Sequence, residues 1–190
     1  MYKALTNYAD IDRHYHNFTH IGKMLDGLDN YFPNYAFNRT LRQAILFHDV
    51  YYRPGDWNNE LISANLFYDT FKSNSYQINV EEGQRLILLT KDHQTTISDT
   101  VGSIIIDLDL MGLGGSQQEY HNNSLLIRKE FKDFSDLEWR TGRIQWLEKF
   151  LDRDNIYFTD YGKQNWEDPA RENMWAELEY LKAITTIEKA

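Results

Sequence analysis

The chain has 190 residues, a net charge of −9 and an isoelectric point of about 5.1. That balance leaves no basic stripe to neutralise phosphates, which argues against a nucleic-acid polymer or a membrane surface as partner. With no cysteine in the sequence, disulfides, thiolate catalysis and cysteine zinc sites are excluded, so a metal site must use His, Asp and Glu.

Apolar residues make up 42% and aromatics 15% of the chain, enough for a globular protein with a packed core. The N-terminal "MYKALTNYADIDRHYH" has no apolar leader core, and no apolar run approaches the ~20 residues that span a bilayer. The expectation is a cytoplasmic protein folded as one domain over residues 1–190. Its oligomeric state is not legible. A small phosphorylated ligand stays compatible with the acidity, because a few local Arg and Lys suffice for one.

Helical periodicity runs through nearly the whole chain. Ile21, Met24, Leu25, Leu28, Tyr31 and Phe32 repeat at i, i+3, i+4, i+7, and Pro33 stops them. Phe37 to His48 is apolar on most sides, as in a central helix. The turn signal "RPGDWNN" follows, and then a helix over Glu60–Phe71. Val80–His93 carries Leu86, Leu89, Thr90 and His93 on one face. Val101–Met111 is rich in β-branched residues and is compatible with a buried strand, but its helical surroundings favour a helix. Tyr120, Ser124, Ile127, Phe131 and Phe134 form one stripe, and Leu137, Ile144, Leu147 and Leu151 the next. "DNIYFTDYGKQNWEDP" reads as one long irregular segment. Asp168 and Pro169 then suit the N-cap and first position of a last helix through Met174, Leu178, Leu181 and Ile184. With no alternating period-2 stretch, the class is all-α.

Three histidines fall on packed faces. His20 lies one turn before Met24, His48 shares a face with Leu41, Ala44 and Ile45, and His93 lies with Leu86 and Leu89. One such histidine is ordinarily a satisfied core residue. Three of them beside an aspartate form a mixed set suited to a divalent transition metal. His48 and Asp49 are adjacent, so on an ideal helix they point about 100° apart. They meet one ion only where the backbone departs from regular geometry. "IIIDLDLMG" places Asp107 and Asp109 inside an apolar segment, each near an edge of the Val101/Ile105/Leu108 face, and the helical wheel barely separates them. His16 and His20 stand at i, i+4, but Asn17 occupies the place of the glutamate base of a zinc protease. His14 and His16 suit the site entrance or plain solvent exposure.

His20, the His48-Asp49 pair and the distant Asp109 resemble the H…HD…D signature of the HD-domain superfamily of metal-dependent phosphohydrolases. The segments "RHYHNFTHI", "FHDVYY", "NNELISA", "DLDLMGLG", "IRKEF" and "GR…L..FLDRDNIYFT" widen the likeness to its bacterial and phage subgroup, over roughly residues 10–180. The resemblance implies an all-α helical bundle with the metal among its central helices. It implies His20, His48, Asp49 and Asp109 as ligands, Asp109 being preferred to Asp107 because the superfamily commonly ligates through the second acid of that stretch. Arg53 stands where many relatives are expected to carry an acid.

The implied activity is hydrolysis of a phosphate ester or anhydride of a nucleotide or similar small metabolite by metal-activated water. Mn, Fe, Co, Ni or Zn suits the donor set. Glu60 can orient or deprotonate the water, or simply favour a helix N-terminus; Asp49 is the other catalytic candidate. Arg13, His16, Arg53, Lys91, His93 and Arg128 are candidates for contacting substrate phosphate, and His93 alternatively marks a second metal. Arg128 and Arg143 equally suit structural ion pairs. Two other readings stand beside this one. One is hydrolysis of guanosine tetraphosphate-type alarmones, weakened because "VYYRPG" follows the HD pair where acids are expected. The other is a non-catalytic, metal-containing nucleotide sensor.

Overall fold

The computed structural model describes residues 5–73 and 77–187, so the first four residues of the N-terminal stretch lie outside it. It is 71% helical with nine helices and no strand among the described residues, which places it in the all-α class. The helices are α1 (Phe18–Tyr31), α2 (Arg39–Phe47), α3 (Asn59–Phe71), α4 (Val80–Asp92), α5 (Thr100–Leu110), α6 (Gln117–Glu130), α7 (Asp136–Leu151), α8 (Asp160–Asn165) and α9 (Glu167–Ile187). The chain divides into two compact units, Met1–Asp109 and Leu110–Ala190.

In the first unit, polar side chains start the helices. Asn17, Asn38 and Asn79 accept the amides of Thr19, Leu41 and Glu82 at 2.8–3.0 Å, and Asp99 accepts that of Gly102 at 3.0 Å. Each bond satisfies one of the donors that a helix start leaves orphaned. Helix α2 packs against α1, α3 and α4, and α3 packs along α4. Met24, Leu28, Leu41, Ile45, Phe47, Phe67, Leu86 and Ile87 are fully buried. Phe47, Phe67 and Phe71 form a ring cluster with centroids 4.8–5.6 Å apart. Gly83 lets α3 approach: a Cβ there would stand 2.2 Å from the Phe67 ring.

In the second unit, α9 packs on α7, on α8 and on the 3-10 turn Met111–Gly114. Ser116 with Glu119, and Ser135 with Glu138, close reciprocal capping boxes at the starts of α6 and α7. Tyr157 donates to the carbonyl of Leu110 at 2.8 Å, and Asn173 to those of Leu113 and Gly115 at 2.9 Å.

The apolar segment expected at Val101–Met111 is the helix α5, not a strand. Three local expectations change. The segment 154–169 is not irregular throughout, because Thr159 caps the short helix α8 through Gly162 at 2.9 Å. Asp168 and Pro169 lie inside the first turn of α9, which begins at Glu167. Proline is tolerated there because first-turn amides have no helical acceptor. Phe37 lies outside α2 and is 94% exposed.

Candidate metal centre

Helix α2 ends at Phe47, and His48-Asp49-Val50 form the turn that leaves it. This irregular geometry brings the two adjacent side chains together, Asp49 Oδ2 lying 3.1 Å from His48 Nε2. The turn is pinned from α3. Ser63 Oγ accepts from the Tyr51 amide at 3.1 Å and donates to the Tyr51 carbonyl at 3.2 Å. The Asn59 side chain bonds both the N–H and C=O of Arg53 at 2.9 Å.

His20 from α1, His48 from the turn and Asp109 from α5 bring one ligand atom each within 4.8 Å of one another. All belong to the first unit. His20 Nε2 lies 3.0 Å from Asp109 Oδ1. His93 Nε2 lies 2.9 Å from the other oxygen, Oδ2. The His48 Nδ1–H donates to the Ile45 carbonyl at 2.9 Å, which leaves Nε2 as the site-facing nitrogen. That nitrogen is buried and makes no hydrogen bond, although Asp49 Oδ2 is 3.1 Å and Asp109 Oδ1 3.5 Å away. Neither Asp49, expected as a ligand, nor the fully buried Asp107 on α5 is in this group, although Asp49 borders it through His48.

The electrostatics ask for a cation. Burial alone would raise the Asp49 carboxyl, but His48 and His16 hold it down at about 2. Asp109 is likewise held well below the usual carboxylate range against burial, by His48, His20 and His93. Burial disfavours the His48 imidazolium, yet Asp49 and Asp109 together push its pKa well up. Two carboxylates around a buried imidazole call for a positive centre, either a proton on Nε2, which the raised pKa favours, or a metal ion in its place. A divalent ion meets that demand, and imidazole with carboxylate is the donor set for one. The residues therefore fit a metal.

Around the cluster, Glu60 begins α3 half-buried. Burial raises its carboxyl, and Asp49 raises it further against Lys91 and His93. His16 stacks on Tyr52 with centroids 4.1 Å apart, and Tyr15 lies 5.2 Å from the His20 ring. Lys91 bonds the Trp57 carbonyl at 2.7 Å. The Arg53 guanidinium stands 5.6 Å over the Tyr51 ring. Arg13 directs its nitrogens to the carbonyls of Asp49 at 2.6 Å and Val50 at 3.2 Å. His93 adopts the left-handed conformation (φ 48°) at the end of α4, a backbone cost that side-chain contacts must offset.

Arg128 and Arg143 belong to the second unit. Arg128 bonds the carbonyls of Phe131 and Phe134 and the Asp136 carboxylate at 2.7–3.1 Å. Arg143 pairs with Glu177 at 2.8 Å. Sequence reasoning missed Tyr8 and Tyr15. Tyr15 sits inside the quoted "RHYHNFTHI", whereas Tyr8 carries no signal beyond being an aromatic in a polar stretch.

Comparison with protein-family models, with curated proteins and with solved structures returns no match.

Proposed function

We propose that the protein is a metal-dependent phosphohydrolase acting on a nucleotide or similar small phosphorylated metabolite. The observation that carries the metal reading is the convergence of His20, His48 and Asp109, whose ligand atoms lie within 4.8 Å of one another, with Asp49 Oδ2 3.1 Å from His48 Nε2. His20, His48, Asp49 and Asp109 would hold a divalent ion. When bound, such an ion lowers the pKa of a coordinated water from ~15.7 toward ~7 and polarises a phosphoryl oxygen.

The chain's own residues supply the rest. Ile45 fixes the tautomer and orientation of His48 through its carbonyl. His93 holds Oδ2 of Asp109 and leaves Oδ1 toward His20 and His48. Glu60, with its carboxyl raised by burial, accepts a proton from attacking water, which suits a base working closer to neutral pH. Lys91 and Arg53 supply positive charge for phosphate oxygens. The His16–Tyr52 stack offers an aromatic wall. The phosphoryl chemistry itself rests on the H…HD…D resemblance and these cations.

The test is phosphate release from nucleoside mono-, di- and triphosphates and guanosine tetraphosphate, assayed with Mn, Co, Ni, Fe and Zn. The proposal expects release by the wild type that disappears in the His48→Ala/Asp49→Ala double variant. No release from any member, or release that survives the double variant, overturns it.

A further inference from the structure

Asp49 occupies a position that its own helix cannot fix. The chain leaves α2 at His48, so the carbonyls of Asp49 and Val50 have no following helical turn to accept from. Their donors come from far upstream. Arg13 Nη1 donates to the Asp49 carbonyl at 2.6 Å and Nη2 to that of Val50 at 3.2 Å. The Asn7 amide donates to the same Val50 carbonyl at 3.0 Å. These bonds bridge 36, 37 and 43 residues of sequence. Arg13 also bonds the His16 carbonyl at 3.4 Å, which ties the clasp to the approach of α1.

Tyr8 supports Arg13 from below. Its ring lies 5.1 Å beneath the Arg13 guanidinium and 5.4 Å from Phe18. The residue is 2% exposed.

We infer that Asn7 and Arg13, with the Tyr8 ring beneath Arg13, form a clasp that positions Asp49 for the ion by holding the carbonyls of Asp49 and Val50. This rests on the metal reading above. Arg13 and Asn7 set the turn from the carbonyl side, and the Tyr8 ring holds the Arg13 guanidinium from below. The three are positioning residues, since none has to touch substrate. They answer how His48 and Asp49, which diverge by about 100° on a regular helix, come to lie 3.1 Å apart at their tips.

The experiment is titration of the metal-free full-length protein with Mn(II) by calorimetry and with Co(II) by visible absorption. The variants are Arg13→Gln, Tyr8→Phe and Asn7→Ala, with the surface Arg42→Gln as control. Loss of an outer-shell partner typically weakens metal binding about 10–100-fold. Arg13→Gln is expected to fall in that range, and Asn7→Ala by about tenfold, each with an altered Co(II) spectrum. Tyr8→Phe, which keeps the ring beneath Arg13, and the control should match the wild type. Asn7→Ala removes only one hydrogen bond to the turn, so it decides the matter if Arg13→Gln does not fold. If the wild type binds metal but Arg13→Gln and Asn7→Ala both match its affinity and spectrum, the clasp is overturned and the metal reading survives. A wild type that binds no ion overturns both.

Discussion

Each of the two units holds a cluster of buried charged side chains, and the two are built on opposite lines. In the second unit Glu177 on α9 meets Arg143 at 3.1 and 2.8 Å, Ser124 at 2.7 Å and the Tyr120 hydroxyl. Each carboxylate oxygen has at least two donors. In the first unit two carboxylates face imidazoles, and one imidazole nitrogen is aimed at them without a hydrogen bond. A network whose acceptors are all met rigidifies a core. One that gathers imidazoles and carboxylates around one another presents the donor set that a divalent ion takes.

Four outcomes would break or sharpen that contrast. The largest concerns activity. His48→Ala with Asp49→Ala should lower phosphate release by about 10³-fold or more, the scale of losing a main electrostatic element of a site. Arg143→Gln should leave kcat per folded molecule near wild type, as single-turnover assays can check. Comparable losses in both would erase the distinction.

The next concerns stability. Arg143→Ala strands Glu177 in a buried setting, and breaking such a pair costs about 3–5 kcal/mol. Urea melts should show this, and the Arg143→Met/Glu177→Leu double variant should recover most of it. A single-variant cost under about 1 kcal/mol would mean that the network behaves like a surface pair.

A third outcome is smaller. Mn(II) at about 100 times its Kd should stabilise the wild type by about 2.7 kcal/mol. For a chain of this size that raises Tm by about 5–10 °C. The shift should persist in Arg143→Gln and vanish in His48→Ala.

The smallest is a pH effect. Burial would raise Glu177, but Arg143, Tyr120 and Ser124 hold it below its ordinary value of 4.5. Its folded pKa is therefore lower than its unfolded one. The stabilisation is present above the unfolded value and declines as pH falls through the lowered folded value. Melts of wild type and Glu177→Gln should converge on acidification below about pH 4. A gap that widens there would reverse the sign.

Much of the fold was legible because helical periodicity and punctuation agree. Ile21 to Phe32 ends at Pro33, and the apolar spacing places α1 and α3 to α5 within a few residues. The histidine–aspartate pair was legible because an apolar run delivers it to a place where charge needs a reason. Asp109 was harder to separate from Asp107, since both sit at edges of one helical face. The remaining features depend on tertiary approach, which local pattern does not carry. Arg13 suggested a phosphate contact, yet its partners are main-chain carbonyls 36 and 37 residues away. The left-handed His93 gave no sign, because glycine or asparagine is the usual residue there. The helix α8 was hidden in an aromatic, polar stretch with no apolar period, and its Thr159 cap is a weak signal alone.

The central claim is that the first unit's open cluster is completed by one divalent ion. Elemental analysis of purified, metal-equilibrated wild type beside His48→Ala/Asp49→Ala tests it most directly. The account predicts one equivalent of a divalent transition metal per wild-type chain and none in the double variant, with both chains helical by circular dichroism. A wild type without bound metal, or a double variant that retains a full equivalent, would contradict it.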